Sequence, residues 1–348
     1  MKEASTNTSN SFPLEYWELT WYSLITVLGI IGNGIVMIVI LLSKNIDRTS
    51  LFHIAIFSLA LADFMVSLFS LPTYIMSTDS FQKYHPQNIS GDLMCKFITS
   101  YFLPYWFLGA SIFLLVFISI ERRNVILYQK SLLFQHKSTK FKIAIMALIF
   151  FLALIKELLG DLFIKYDPKN NEYGSFCGYE SKFHSNEIHF RIIRKLVIFI
   201  LDTVIPVVIV SYCFYQISLT LEKIGVFLGK AMKVNKIDII HIRKVKTIKT
   251  IKIIAVAFCI CILPNRILFL LTFANVPLLR WNYPISQVFV LMRLSNSFIN
   301  PLIFCFQSKE FRKNLSIVFY RFCKRKSKIS RGGKQQSNSY KPLPDMAF

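Results

Sequence analysis

Residues 295–304 read SNSFINPLIF. The stretch lies inside the last long apolar segment of the chain. Yet it carries Ser295, Asn296, Ser297 and Asn300, and Pro301 removes a backbone donor from any helix it joins. Polar groups in a dry environment are costly unless they find partners. What this polarity is for depends on what surrounds the segment.

The surroundings are apolar throughout. Of 348 residues, 54% are hydrophobic and 17% are charged, with mean hydropathy +0.48. An ordinary soluble domain carries roughly 25% charge. Apolar runs of about 20 residues recur along the chain, each long enough to cross a hydrocarbon core about 30 Å thick as a helix. Seven spans are expected, at about 18–43, 51–77, 94–121, 141–160, 194–220, 248–275 and 285–306. Lys156 and Glu157 interrupt the end of the fourth. The fold expected is an all-α membrane protein, a seven-transmembrane helix bundle. Its divisions are an extracellular N-terminus at 1–17, the bundle at 18–306, an amphipathic helix at 307–323 and a disordered cytoplasmic tail at 324–348. Residues 1–16 are polar and the run after them is too long for a signal-peptide core, so the first span is expected to act as its own insertion signal.

The net charge of +22 is distributed by topology. Lys and Arg crowd KNIDR (44–48), the region from Arg122 to Lys142, the stretch 233–252 and RFCKRKSK (321–328). With seven spans these fall on one side. The positive-inside rule then puts the N-terminus outside and the C-terminus in the cytoplasm of a multi-pass plasma-membrane protein, with basic loops near anionic lipid. Charge dispersed under a bilayer also argues against nucleic acid, which requires one accessible basic face.

Sequons at Asn7 and Asn88 fall on the expected outer segments and mark glycosylation sites; a third at Asn314 falls inside and is expected to stay unmodified. Cys95 and Cys177 both lie on the oxidising side, which permits a disulfide. Cys323 follows an alternating basic and apolar stretch, SKEFRKNLSIVFYRFC (308–323), that reads as an amphipathic helix on the inner leaflet, where Cys323 is placed for palmitoylation.

Inside the spans, polar residues recur: Asn33 in span one, Asp63 in span two, Ser111 in span three, and Asn296, Ser297 and Asn300 in span seven. Two readings stay open on chemistry alone. The set is a hydrogen-bond network that glues helices, or its carboxylate, hydroxyl and amide oxygens hold a hard monovalent cation.

Six motifs in order then carry a resemblance. GNGIV in span one, SLALAD in span two, ISIERR ending span three, a proline in span five, C-x-x-P in span six and NPLIF in span seven resemble the class A (rhodopsin-like) G-protein-coupled receptors over about residues 18–320. The resemblance implies an allosteric sodium site at Asp63, Ser111, Asn296, Ser297 and Asn300, with no other cofactor. It implies that Glu121 and Arg122 form the acid–arginine switch ending span three. Asn300, Pro301 and Phe304 would belong to the hinge of span seven. Pro206, Ile112 and Phe258 would be the connector below the ligand pocket, and Leu59, Leu115 and Ile254 the apolar gate beneath it. The stretch 307–323 would be the family's cytoplasmic helix 8. A heterotrimeric G protein is the implied inner partner, with arrestin a further one.

Several positions depart from the family pattern. Arg123 stands where a tyrosine is usual, Lys244 where an acid is usual, Phe214 and Phe304 where tyrosines are usual, and Ile262 where a tryptophan is usual.

The ligand side follows the same matching. Aminergic relatives place an aspartate in span three, and the corresponding residue here is Pro104, next to Tyr105, which argues against a monoamine. The upper spans instead offer Asp202, Arg266 and Arg293. Asp202 and Arg266 are expected to pair. Arg293 then has no evident partner and is a candidate for an anionic ligand group, while Glu157, Asp161 and Glu187 are placed to meet basic groups near the mouth. Spans two and six resemble the neuropeptide-receptor branch, so the expected ligand is a small extracellular peptide. The alternatives are a non-peptide small molecule, or a membrane transporter or channel, against which the chain shows no inverted repeat. No metal-ligand spacing, nucleophile elbow or phosphate loop supports an enzyme.

Overall fold

In lipid a helix pairs every backbone N–H and C=O within its own segment, and the expected apolar runs are helical. A computed structural model describes residues 15–78, 81, 84, 86–128, 137–161, 164–166, 177–179, 193, 196–230, 253–268, 271, 284–307 and 311–320. Span one is Tyr16–Leu42, span two Leu51–Ser77 and span four Thr139–Asp161. Span five runs from Leu196 through a π-helical turn, Ile200–Val204, into a helix over Ile205–Lys230. Span six is described over Ile253–Leu268 and span seven over Pro284–Gln307. Spans one, two, three and five are each long and apolar enough to cross a membrane by length and composition. Large apolar side chains such as Ile31, Val208 and Ile260 are more than half exposed on the helix exteriors, the surface a bilayer would cover.

The bounds of span three differ most from expectation. Span three was expected at 94–121. Its helical stretch begins at Asn88, passes through a π-helical turn at Cys95–Thr99, breaks at Tyr101 and resumes over Phe102–Leu127. Tyr101 takes a left-handed backbone, φ 61°, which turns the chain without a glycine. The all-α expectation also meets a small exception. Ile164–Tyr166 (β1) and Cys177–Tyr179 (β2) pair antiparallel in the connection between spans four and five. A backbone N–H of that hairpin, at Tyr166, donates to Asp92 Oδ1 at 2.8 Å. The expected disulfide, Cys95–Cys177, ties β2 to the start of span three.

Span one packs on spans two and seven, and span three on spans two, four and five. Two glycines of span one set that distance. A Cβ on Gly29 would lie 1.8 Å from Ser67 Oγ, and one on Gly32 would lie 2.8 Å from Pro301 Cγ. The residues 311–320 form a helix whose Asn314 and Val318, one turn apart, are buried while Phe319 and Tyr320 are exposed. Asn314 Oδ1 accepts from Ser43 Oγ at 3.0 Å and from Asn45 Nδ2 at 3.3 Å, so this helix is fastened to the end of span one. Asn88 is exposed at the head of its helix. Asn7, Cys323, Glu187, Lys244 and the tail lie outside the described residues.

Candidate functional site

The polarity of SNSFINPLIF meets the polarity of span two. Asp63 is fully buried. Its Oδ1 accepts from Ser111 Oγ at 2.7 Å and its Oδ2 from Asn300 Nδ2 at 2.7 Å, which joins spans two, three and seven. Ser297 does not reach Asp63; its hydroxyl meets Ser67 Oγ at 3.1 Å. Ser67 went unnoticed in the sequence because serine is common in bundles and its span was marked by Asp63 alone. Asn33 donates to the carbonyls of Gly29, at 3.0 Å, and Ser297, at 2.9 Å. The side-chain oxygens of Asn296 and Asn300 are buried without a hydrogen-bond partner among the described residues. The Asp63 carboxylate, the Ser111 hydroxyl and the unpaired amide oxygen of Asn300, which sits on that carboxylate, are a donor set that fits a hard cation.

Next to this knot lies an apolar cluster. Ile112, Leu115, Ile254, Phe258, Cys261 and Ile262 are buried together, with Val207, Ile299 and Ile303 against them. The cluster therefore brings the expected connector residues Ile112 and Phe258 beside the gate residues Leu115 and Ile254. Leu59 packs in a neighbouring cluster instead. Pro206 is buried at the start of the span-five helix. The helix residue four before it is Asp202, inside the π-helical turn. Proline offers no N–H for the Asp202 carbonyl, and a π-helical turn is a common local solution near functional sites.

At the other end of span three, Arg122 Nη2 lies 2.6 Å from Glu121 Oε2, and its Nε donates to the same oxygen at 2.7 Å. The guanidinium also stacks 3.7 Å above the Phe52 ring. Arg123 stacks over Tyr212 at 5.3 Å. Phe214 is buried, Tyr215 is exposed, and the side chain of Phe304 lies outside the described residues.

The charged residues of the upper spans form one cluster. Asp202 pairs with Arg266, as expected. It also accepts from Lys156 Nζ on both oxygens, at 2.8 and 2.9 Å. Lys156 in turn lies 2.7 Å from Glu157 Oε1. Glu157 is therefore a buried partner of Lys156 and does not stand open at the mouth. Lys156 looked like an interruption of span four because nothing in the order of residues says which helix it faces. The glycine that admits it is Gly109, whose added Cβ would lie 2.7 Å from Lys156 Nζ. Arg293, expected to lack a partner, sits over the Tyr105 ring at 4.2 Å. Pro104 is buried beside it in span three.

Three kinds of comparison bear on this arrangement. A family model described as 7 transmembrane receptor (rhodopsin family) matches residues 32–304. The chain is 29% identical over 309 residues to Galanin receptor 2b of Danio rerio, covering 86% of this chain and 73% of that one. It is 27% identical over 303 residues to Galanin receptor 2a of Danio rerio, covering 86% and 76%. Squid rhodopsin superposes with TM-score 0.66 at 20% identity, covering 94% of this chain and 92% of that chain, which is a likeness of fold.

Proposed function

The chain belongs to the rhodopsin family of seven-transmembrane receptors, and on that footing we propose that it binds a small extracellular peptide and activates heterotrimeric G proteins. Membership makes it a multi-pass membrane receptor of the seven-helix fold and sets aside the transporter or channel alternative. The similarity to two galanin receptors supports the peptide, as does Pro104 standing where an aminergic receptor would carry an aspartate. The observation that carries the reading is the family match over 32–304 together with the Asp63–Asn300 bridge between spans two and seven.

In this reading the outer half of the bundle receives the ligand beside Tyr105, Asp202, Arg266 and Arg293. The Ile112–Phe258 cluster transmits a shift of spans five and six inward. Release of Arg122 from Glu121 then opens the inner face to the G protein. The N-terminus faces outward and the basic tail lies inside, against lipid. A sodium ion would be held by Asp63, Ser111, Asn300 and Asn296, while Ser297, whose hydroxyl meets Ser67, would support the set from span seven. Bound there, it would supply a positive charge that favours the carboxylate and the packed arrangement of spans two, three and seven.

The test is G-protein dissociation in cells expressing the chain, challenged with pooled peptides and with monoamines, using Arg122→Ala as the control. A peptide response lost in the control supports the reading. A monoamine response that survives Tyr105→Ala and Arg293→Ala would overturn the peptide assignment.

A further inference from the structure

Among the described residues, the buried charges of the outer bundle do not balance. Among the described residues the cluster holds Lys156, Arg266 and Arg293 against Glu157 and Asp202, three cations and two anions. All five are less than a tenth exposed. Both oxygens of Asp202 are engaged, by Lys156 and by Arg266. Glu157 is engaged by Lys156. The short contacts of both acids thus go to Lys156 and Arg266, and among the described residues the direct contact of Arg293 is the face of the Tyr105 ring, with Asp202 and Glu157 acting on it from farther off. The Nε of Arg293 and the Nε of Arg266 are each buried with no hydrogen-bond partner among the described residues.

A guanidinium in a dry interior calls for a counter-charge. A ring face supplies part of that attraction but accepts no conventional hydrogen bond along the edge of the fork. The group whose geometry matches a guanidinium edge is a carboxylate, which takes two parallel N–H bonds. The cluster also lies on the ligand side of the bundle. Tyr105 falls between the disulfide at Cys95 and the polar knot at Ser111 along span three.

We infer that Arg293, assisted by Arg266 and backed by Tyr105, receives a carboxylate of the ligand, so that the receptor is selective for peptides presenting a free acid at the end that enters the bundle. This rests on the receptor reading above and names the chemical class of its ligand. An entering carboxylate would complete the charge balance of the cluster and draw on Arg266, whose tie to Asp202 joins spans five and six.

The experiment has two arms. In the first, the purified full chain in detergent is melted with the potassium salt of N-acetylglycine or with neutral N-acetylglycinamide, at matched ionic strength set with potassium chloride. The acid is expected to raise the melting temperature of the wild type and the amide is not. The difference is expected to vanish in Arg293→Gln and to survive in part in Arg293→Lys. Arg293→Gln itself is expected to melt no lower than the wild type, because it removes an unbalanced buried charge. In the second arm, matched peptide libraries ending in free acid or in amide are compared by G-protein dissociation. The acid form is expected to be roughly tenfold to hundredfold more potent, the range set by a charged hydrogen bond. Equal melting with acid and amide, or equal potency of the two libraries, overturns the inference and leaves the receptor reading intact. An Arg293-dependent melting shift with no G-protein response to either library supports the anion site and counts against the peptide-receptor reading instead.

Discussion

Asn33 Nδ2 donates to the carbonyl of Ser297 at 2.9 Å, and Ser297 lies four residues before Pro301. That carbonyl is the one whose helical partner the proline removes. A side chain from span one therefore supplies the missing donor, and the broken helix of span seven stays closed in a dry interior. Asn33→Ala is expected to destabilise the protein by about 1–3 kcal/mol, the cost of a buried group left unpaired. A lower melting temperature in detergent would show it. In the double variant Asn33→Ala/Pro301→Ala the carbonyl regains an N–H, so most of that loss should disappear. An undiminished loss would mean that Asn33 acts elsewhere.

Asp63 accepts from Ser111 and Asn300 at once. Asp63→Asn keeps the shape of the side chain but removes the charge that would hold a cation. Agonist binding to the wild type is expected to weaken as sodium replaces a bulky organic cation in the buffer. The variant should lose that dependence. Equal sodium sensitivity in the two proteins would remove the sodium site.

The close pairing of Arg122 with Glu121 leads to opposite expectations for the two residues. Glu121→Gln weakens the hold on the guanidinium and should raise basal G-protein dissociation. Arg122→Ala should abolish the stimulated response at equal surface expression. Basal activity unchanged in Glu121→Gln would show that the Phe52 ring, 3.7 Å from the guanidinium, is restraint enough.

Gly29 leaves no room for a side chain, since its added Cβ would meet Ser67 Oγ at 1.8 Å and Ser67 Cβ at 2.6 Å. Ser67 is buried and hydrogen-bonded to the Asp63 carbonyl and to Ser297, so it cannot swing away. Gly29→Ala is expected to lower stability by about 1–3 kcal/mol through overpacking, seen as reduced melting temperature and surface yield. Ser67→Gly in the same chain should restore both. Failure of that rescue would place the clash elsewhere.

Gly109 is a contrasting case. Its added Cβ would crowd the flexible end of Lys156, at 2.7 Å, and touch Ala153 Cβ at an ordinary 3.7 Å. An alanine inside a helix is ordinarily worth about 1 kcal/mol over glycine. Here Gly109→Ala should gain none of it, because Lys156 would be pushed off Asp202 and Glu157. Melting of Gly109→Ala in wild-type and Lys156→Met backgrounds measures the coupling. The full helix gain in both backgrounds would show that Lys156 has room to spare.

The spans and the polar knot could be read from order and type alone. Asp63, Ser111 and Asn300 stand out because polar groups in apolar runs must turn toward one another, and the structure joins those three. Asn296 and Ser297 were legible as members of the set but not as to their contacts. The upper cluster was only half legible. Asp202 and Arg266 could be paired by sign, yet Lys156 could not be assigned to Asp202, because its rotation about span four is set by packing and by the space at Gly109. The same holds for Tyr105, whose ring could not be aimed at Arg293 before the turn at Tyr101 was known. The two-stranded hairpin was hidden because strands of three residues carry too short an alternation to be recognised.

Asn314 begins an N-x-S sequon, yet its side-chain oxygen is held by Ser43 and Asn45 in a buried contact. Oligosaccharide transfer needs an exposed, lumenal asparagine. A chain inserted in the proposed orientation and folded as seen meets neither condition, whereas a chain threaded the wrong way would display the sequon before the contact could form. A glycan on Asn314 would thus be a molecular record of faulty biogenesis, separating misinserted copies from correctly inserted ones on a gel without any ligand.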